Sequence, residues 1–173
     1  MTGVITYAAT QPRLVSSTAV ASTSGTNIDF TGIPSWVKRI TVMFSNVSTS
    51  GSSSVQIQLG STTFSTSGYK STASYGSATS GQYAYATSGF IIDPSNLAVA
   101  SNTRTGLYVF SLIDSNTWVG SGNIGGDQTV GQLTAACAGN SPALSGALDR
   151  VRITTVGGSN TFDLGSINIL YEG

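Results

Sequence analysis

The stretch VKRITVMFSNV, residues 37–47, decides the fold because its apolar side chains recur at every second position. Ile40, Val42 and Phe44 fall on one face of an extended chain, whereas Thr41 falls on the other. Met43 interrupts the polar face, and we expect it to meet a second layer or a partner. The pattern predicts a β-strand with one buried face.

The same spacing recurs along the rest of the chain, where helical spacing is nearly absent. SVQIQLG, residues 54–60, alternates apolar residues with two glutamines and predicts a strand with one solvent-exposed face. Further strands are predicted over 83–92, 105–114, 117–124, 130–137, 149–156 and 161–171. Turn residues separate nearly all of them, at 33–35, 46–51, 93–96, 114–116 and 156–160, and Gly157-Gly158 is the best hairpin candidate.

Many short strands without intervening helices predict an all-β fold, an antiparallel two-sheet β-sandwich of jelly-roll-like form. We assign residues 24–173 to this domain. Residues 1–23 are interpreted as an N-terminal arm or as a first strand of the domain, and as a candidate attachment segment. Residues 62–82 are rich in Ser, Thr and Gly, so we expect a surface loop that is the leading candidate for a binding surface.

Composition excludes several classes of function. The chain has 173 residues, with seven basic and seven acidic side chains and a formal net charge of zero. A chain without net charge has no long-range electrostatic field that would attract nucleic acid, so we expect no nucleic-acid partner. No apolar stretch reaches the roughly 18 residues of a membrane helix, and the N-terminus lacks the features of a signal peptide, so no membrane insertion is expected. Cys137 is the single cysteine and is predicted to be a small core residue.

The residues do not predict catalysis. The chain has no histidine, which removes the usual general base and the commonest transition-metal ligand. Its carboxylates are scattered singly, mostly beside turns, where they cap turns or form ion pairs: Asp29, Asp93, Asp114, Asp127, Asp149, Asp163 and Glu172. The glycine-rich residues 122–131 lack the lysine of a P-loop. A calcium site built from Asp114, Asn116 or Asp127 is a weak alternative. We therefore expect a protein that is not an enzyme and that uses no cofactor.

Two groups of residues are candidates for contacts. Tyrosines interleaved with small polar residues are typical of adaptable binding surfaces, although the preferred interpretation is that some of them are half-buried strand residues with a solvent-exposed hydroxyl: Tyr69, Tyr75, Tyr83 and Tyr85. Asp149, Arg150 and Arg152 are predicted to form cross-strand ion pairs with each other or with Lys38 and Arg39, or to lie at a subunit contact.

Three segments carry a resemblance to a known family. They are DFTGIPSWVKRITVMFSNVSTSG (29–51), SVQIQLG (54–60) and ALDRVRITTVGGSNTFDLGSINILYEG (147–173). Together they resemble a β-sandwich domain of tailed-bacteriophage virion proteins, of the tail-fibre C-terminal or head-decoration type. The resemblance spans residues 26–173 and includes no catalytic residues.

The resemblance implies a structural protein on the surface of the virion, assembled in the host cytoplasm. It implies a homotrimer that contacts other phage structural proteins, of the tail or the major capsid protein, and that meets a host surface glycan or protein. Closed symmetry buries apolar strand faces, for which Met43, Phe110 and Trp118 are the candidate interface residues.

Three functions follow from these expectations. A tail-fibre or receptor-binding component is preferred. The absence of a long fibrous region before the domain raises the alternative of a capsid decoration (cement) protein or head fibre. A free carbohydrate-binding module is a further alternative.

Overall fold

Every regular element in the described part of the chain is a β-strand. The computed structural model describes residues 13–76, 81–94, 97–100, 102–128 and 131–173. The strands are β1 (Leu14–Ser16), β2 (Val20–Ala21), β3 (Asn27–Thr31), β4 (Arg39–Thr49), β5 (Val55–Ser61), β6 (Thr63–Phe64), β7 (Lys70–Gly76), β8 (Gly81–Ala86), β9 (Phe90–Ile91), β10 (Thr103–Leu112), β11 (Trp118–Gln128), β12 (Gly131–Asn140), β13 (Arg150–Thr155) and β14 (Phe162–Glu172). Among the described residues there is no helix of the length and apolar character needed to cross a membrane.

The strands form two antiparallel sheets, which confirms the predicted all-β sandwich. The larger sheet has nine strands in the order β1-β14-β4-β10-β11-β12-β7-β8, with β2 also paired to β14. The smaller has five, in the order β3-β13-β5-β6, with β9 also paired to β5. The jelly-roll connectivity stays a prediction.

The core lies between the two sheets. In β4 the predicted alternation holds, because Ile40, Val42 and Phe44 are buried while Thr41 is partly exposed. The smaller sheet contributes apolar residues from its three longest strands: Ile28, Phe30, Val55, Ile57, Leu59, Val151 and Ile153. Burial of each such side chain contributes roughly 1.5–3 kcal/mol to the free energy of unfolding relative to exposure, so the core between the sheets is a main source of stability.

Glycines of β11 make room for aromatic residues in the core. A Cβ atom on Gly120 would lie 2.5 Å from the Tyr108 ring and 2.7 Å from the Phe110 ring. These two rings belong to the adjacent strand β10 and pack tilted against each other, with centroids 4.8 Å apart. The glycine-rich sequence of β11 therefore provides space for packing.

Strand β5 has no solvent-exposed face, so the prediction made from its glutamines is wrong. Gln56 and Gln58 are only 2% and 6% exposed. The segment around Ser88 covers them: its hydroxyl donates to Gln56 Oε1 at 2.8 Å, and its carbonyl accepts from Gln58 Nε2 at 2.9 Å. These bonds allow the two amides to be buried at little cost.

The described residues of the segment 62–82 do not form the predicted surface loop. They include β6 and β7 and the start of β8, and β7 pairs with β12 over residues 70–74. Ala73 is fully buried against the core, and Thr72 lies on the opposite face. Small and β-branched residues fit a pleated strand as well as they fit a loop.

One connection differs from what the sequence indicates. Gly157 and Gly158 have φ values of 87° and 67°, but they join β13 of the smaller sheet to β14 of the larger one. They therefore form a turn between sheets, and the predicted hairpin is wrong. In the N-terminal segment, β1 and β2 pair with β14. Residues 1–12 lie outside the described residues, so the interpretation as an attachment segment stays a prediction.

A buried ion pair fixes the chain that precedes β10. Arg104 and Asp93 are both 0% exposed, and Arg104 Nε lies 2.6 Å from Asp93 Oδ2. The other guanidinium nitrogens donate to the carbonyls of Asn102 at 3.1 Å and Leu97 at 3.2 Å. Asp93 Oδ1 accepts from the Val55 backbone N–H at 2.8 Å. Residues from both sheets are thus joined through one satisfied polar cluster.

Candidate functional site

The larger sheet has one face that points away from the smaller sheet, which we call the outer face. Two neighbouring rows of side chains cross it. One row is Tyr85, Thr72, Ala138, Ser121, Val109, Thr41, Leu170 and Ser16, and the other is Tyr83, Ser74, Ala136, Asn123, Leu107, Met43 and Asn168. Neither row contains a charged residue. Two adjacent uncharged rows of this length are unusual, because charged side chains normally keep such surfaces in solution.

Two exposed tyrosines stand at one edge of the outer face. Tyr83 and Tyr85 are 73% and 74% exposed and lie on β8, the last strand of the larger sheet. They are two positions apart, so their Cα atoms are separated by about 7 Å and their rings share one face. Large aromatic side chains with this exposure offer rigid contact area to a ligand.

A depression lies beside these rings, and we call it the Tyr85 depression. Its volume is about 450 Å³. It is lined by Tyr69, Lys70, Ser71, Thr72, Tyr85, Ala86, Thr87, Ala138 and Gly139. Lys70 is the single charged residue in this lining, and no salt bridge between described residues includes it. The depression therefore combines an aromatic wall, threonine hydroxyls and one ammonium group.

A second depression lies at the other end of strands β10 to β12. It has a volume of about 380 Å³ and a polar lining: Asn46, Thr103, Thr105, Gly125, Gly126, Asp127, Gln132, Leu133 and Thr134. The Asn46 backbone N–H donates to Thr105 Oγ1 at 3.1 Å, which fixes one wall. This lining has a carboxylate and no aromatic ring.

The part of the outer face on the interior strands β4 and β10 is more apolar. Met43 is half-buried there, directly opposite Leu107, which is 48% exposed. Met43 is thus the one predicted interface residue that the structure places on a surface. Leu107 was missed because residues 107–110 (LYVF) are all apolar, so the sequence did not show which of them point outward.

Phe110 and Trp118, also predicted as interface residues, are buried inside one subunit. They are 0% and 2% exposed. Phe110 packs edge-on against Phe90, with ring centroids 4.8 Å apart. The Trp118 backbone N–H donates to Ser141 Oγ at 3.0 Å. Both residues belong to the core, and the prediction that they contact a partner is corrected accordingly.

The four predicted surface tyrosines separate in the structure. Tyr83 and Tyr85 lie on the outer face, whereas Tyr75 is half-buried and pairs with Gln82 on the opposite face of the hairpin. Tyr69 is only 1% exposed, so it is not a surface residue. Its hydroxyl accepts from the Leu59 backbone N–H at 2.9 Å, and burial raises its pKa to about 12.

Most carboxylates make structural contacts. Those of Asp29, Asp93, Asp149 and Glu172 form ion pairs with arginines. Asp163 accepts a hydrogen bond from Ser48, and Asp114 accepts one from the Thr117 backbone N–H at 3.3 Å. Asp127 lines the second depression.

The calcium candidates are not brought together. Asp114 follows β10, whereas Asp127 pairs with Thr103 at the start of β10. The length of the hairpin separates them by on the order of 30 Å. In the part of the chain that the structure describes, no group of three or more His, Cys, Asp or Glu residues is placed to hold a metal ion.

The predicted basic cluster forms ion pairs on the smaller sheet. Arg152 pairs across strands with Asp29 at 2.7 Å, and Arg150 pairs with its neighbour Asp149 at 2.7 Å. Both guanidinium groups also lie over the Phe64 ring. The hydrogen bond from Arg150 lowers the pKa of Asp149. Arg39 instead pairs with Glu172 on the larger sheet, and no salt bridge among the described residues includes Lys38.

The chain was compared with protein-family models, with curated protein sequences and with solved structures, and none of these comparisons found a match. Function is therefore inferred from the sequence resemblance and from the outer face.

Proposed function

We propose that this chain is a non-enzymatic structural protein exposed on the surface of a tailed-phage particle, as a tail-fibre or receptor-binding component. The observation that carries the proposal is the outer face of the larger sheet, which is wide, uncharged along two full rows, and open among the described residues. A surface of this kind serves contact with other molecules better than it serves solubility. The resemblance of residues 26–173 to tailed-phage virion domains supports the same class of function.

The positions of the acidic residues favour a role without catalysis. Hydrolysis of a glycosidic bond needs two carboxylates that flank the substrate, one of them held protonated. In the described structure, most carboxylates are paired with arginine or bonded within turns, and Asp127 lines its depression as the single acidic residue. This arrangement is better suited to ligand binding than to acid–base catalysis.

A homotrimer is part of the proposal. The apolar part of the outer face, around Met43 and Leu107, is the surface that a second copy of the chain would bury. Many copies on one particle bind weak ligands tightly through avidity. The Tyr83 and Tyr85 edge would remain available to a host ligand, because it lies on the edge strand β8, four strands away from β10.

Immunogold electron microscopy tests the proposed location. Particles of the phage that encodes the chain are labelled with an antibody raised against it, and an antibody against the major capsid protein serves as the control. We expect gold at the tail tip or baseplate. Gold over heads would instead support a decoration protein or head fibre, and particles without gold would refute the virion proposal.

Analytical ultracentrifugation tests the proposed trimer. Met43→Asp and Leu107→Asp each place a charge in the proposed contact, so we expect both variants to sediment as folded monomers. Ile113→Asp is the matched control, because Ile113 is 63% exposed and lies outside the two rows. A trimer that persists in both outer-face variants would remove this face from the interface.

A further inference from the structure

The Tyr85 depression combines an exposed aromatic ring with an ammonium group that forms no salt bridge among the described residues. We infer that it is a binding subsite for an acidic saccharide, in which the Tyr85 ring supports a sugar ring and the Lys70 ammonium pairs with a carboxylate or phosphate of the ligand. The identity of the saccharide as a host surface polymer rests on the proposed function. The binding itself rests on the geometry alone.

The aromatic wall indicates a ligand with flat apolar faces. Tyr85 is 74% exposed, and its neighbour Tyr83 on the same face is 73% exposed. A pyranose ring presents axial C–H groups on one face, which pack against the negative face of an aromatic ring. Because the two rings lie about 7 Å apart along the strand, each can stack against one of two successive sugars in a chain. A tyrosine fixed on a strand loses little conformational entropy when it binds.

The rest of the lining fits a polyhydroxylated ligand. Thr72 and Thr87 are exposed, line the depression together with Tyr85, and each carry a hydroxyl group. Ala138 has a small side chain on the neighbouring strand position, so the floor stays open. A lining with an apolar wall and a few hydroxyl groups is typical of sites in which polar contacts fix the orientation of the ligand.

Lys70 provides the charge complementarity that selects an acidic sugar. It is exposed, it faces outward in β7 opposite Asn140, and no salt bridge among described residues includes it. The nearest ion pair on its row is Arg39 with Glu172, which begins four strands away, or about 19 Å. None of the described carboxylates lines the depression. An anionic group there meets one uncompensated positive charge.

Binding to the purified full chain tests this inference by isothermal titration calorimetry. The probes are a galacturonic acid oligosaccharide, a phosphorylated mannose oligosaccharide and a neutral dextran oligosaccharide. We expect one of the two acidic probes to bind and the neutral probe to bind about tenfold more weakly or not at all. The acidic probe that binds identifies the source of the charge as carboxylate or phosphate. Equal binding of dextran would overturn the acidic assignment.

Variants locate the binding. We expect Tyr85→Ala and Lys70→Gln each to weaken binding by about tenfold, whereas Tyr85→Phe should retain it because the ring remains. Lys38→Gln is the matched control, since Lys38 is an exposed lysine outside the depression. Unchanged binding in both Tyr85→Ala and Lys70→Gln, or no binding of any acidic probe, would overturn the inference.

The two proposals fail separately. If gold labels the particle but no acidic saccharide binds, the subsite is refuted while the virion role stands. If the chain binds the saccharide at the Tyr85 depression but no particle carries it, the virion role is refuted and the chain is a free carbohydrate-binding module.

Discussion

Replacing Arg104 by leucine should destabilise the fold strongly and in a pH-dependent way. The substitution removes a guanidinium that is 0% exposed and leaves Asp93 without its partner. It also leaves the carbonyls of Leu97 and Asn102 without their hydrogen bonds from Arg104. Breaking a buried pair on one side costs roughly 3–5 kcal/mol, most of it from the uncompensated charge. The loss at pH 7 should fall in this range.

The pH dependence follows from Asp93. Burial raises the pKa of Asp93, and Arg104 opposes that shift. Without Arg104 the folded-state pKa rises further above the unfolded value of about 4. A carboxyl with a raised folded pKa contributes stability that is fully present below the unfolded pKa and is lost as pH rises through the folded pKa. The deficit of Arg104→Leu should therefore be largest at pH 7 and should shrink as the pH falls toward the unfolded pKa.

Urea unfolding, followed by tryptophan fluorescence, measures both effects. With a slope of roughly 2 kcal/mol per molar urea, the midpoint of Arg104→Leu should fall by roughly 2 M at pH 7. The double variant Arg104→Leu/Asp93→Asn should recover part of the loss and show no such pH dependence, because the new amide is uncharged and its oxygen can still accept from the Val55 N–H. Arg39→Met, in an exposed pair, should cost no more than about 1 kcal/mol. A deficit that does not change with pH would refute the role given to the buried charge.

Three further predictions concern the core. Tyr69→Phe leaves the buried Leu59 N–H without the hydroxyl that accepts from it, so urea unfolding should show a loss of about 1–3 kcal/mol. Gly120→Ala places a methyl group against the Tyr108 ring, and the overpacking should cost about 1–3 kcal/mol by the same assay. Burial raises the pKa of the Cys137 thiol to about 12, so iodoacetamide at about pH 8 should modify the folded protein far more slowly than the urea-unfolded chain; equal rates would contradict its burial.

Periodicity predicted the strands well where a single face is buried. In β4, the alternation of Ile40, Val42 and Phe44 against their neighbours indicated the correct inner face. The same reasoning failed for β5, because its sheet is covered on both sides at Gln56. A covering segment such as the one at Ser88 comes from a distant part of the chain, and the local pattern does not contain it.

The candidate site was harder to predict because the tyrosines have similar sequence surroundings. Tyr69 and Tyr85 both lie among Ser, Thr, Gly and Ala, yet one is buried and the other is 74% exposed. The difference arises from register: Tyr85 pairs with Thr72 on the outer face, whereas the Tyr69 ring packs on Phe90 in the core. A shift of one residue reverses the face of every side chain in a strand. The register of a Ser- and Thr-rich strand is not marked by any apolar alternation.

The two contacts proposed for the outer face involve separate parts of it. Tyr83 and Leu107 lie on the same row, but Ser74, Ala136 and Asn123 stand between them, so four strand spacings, or about 19 Å, separate them. A trimer contact confined to the region of Leu107, as proposed, would leave Tyr85 on the edge strand β8 accessible in each subunit. Three such depressions on one particle component would convert weak binding of an acidic saccharide into firm attachment. Charged residues in these two rows would have to lose their hydration water when either contact formed, at a cost in free energy. The absence of charge from the two rows therefore favours both contacts.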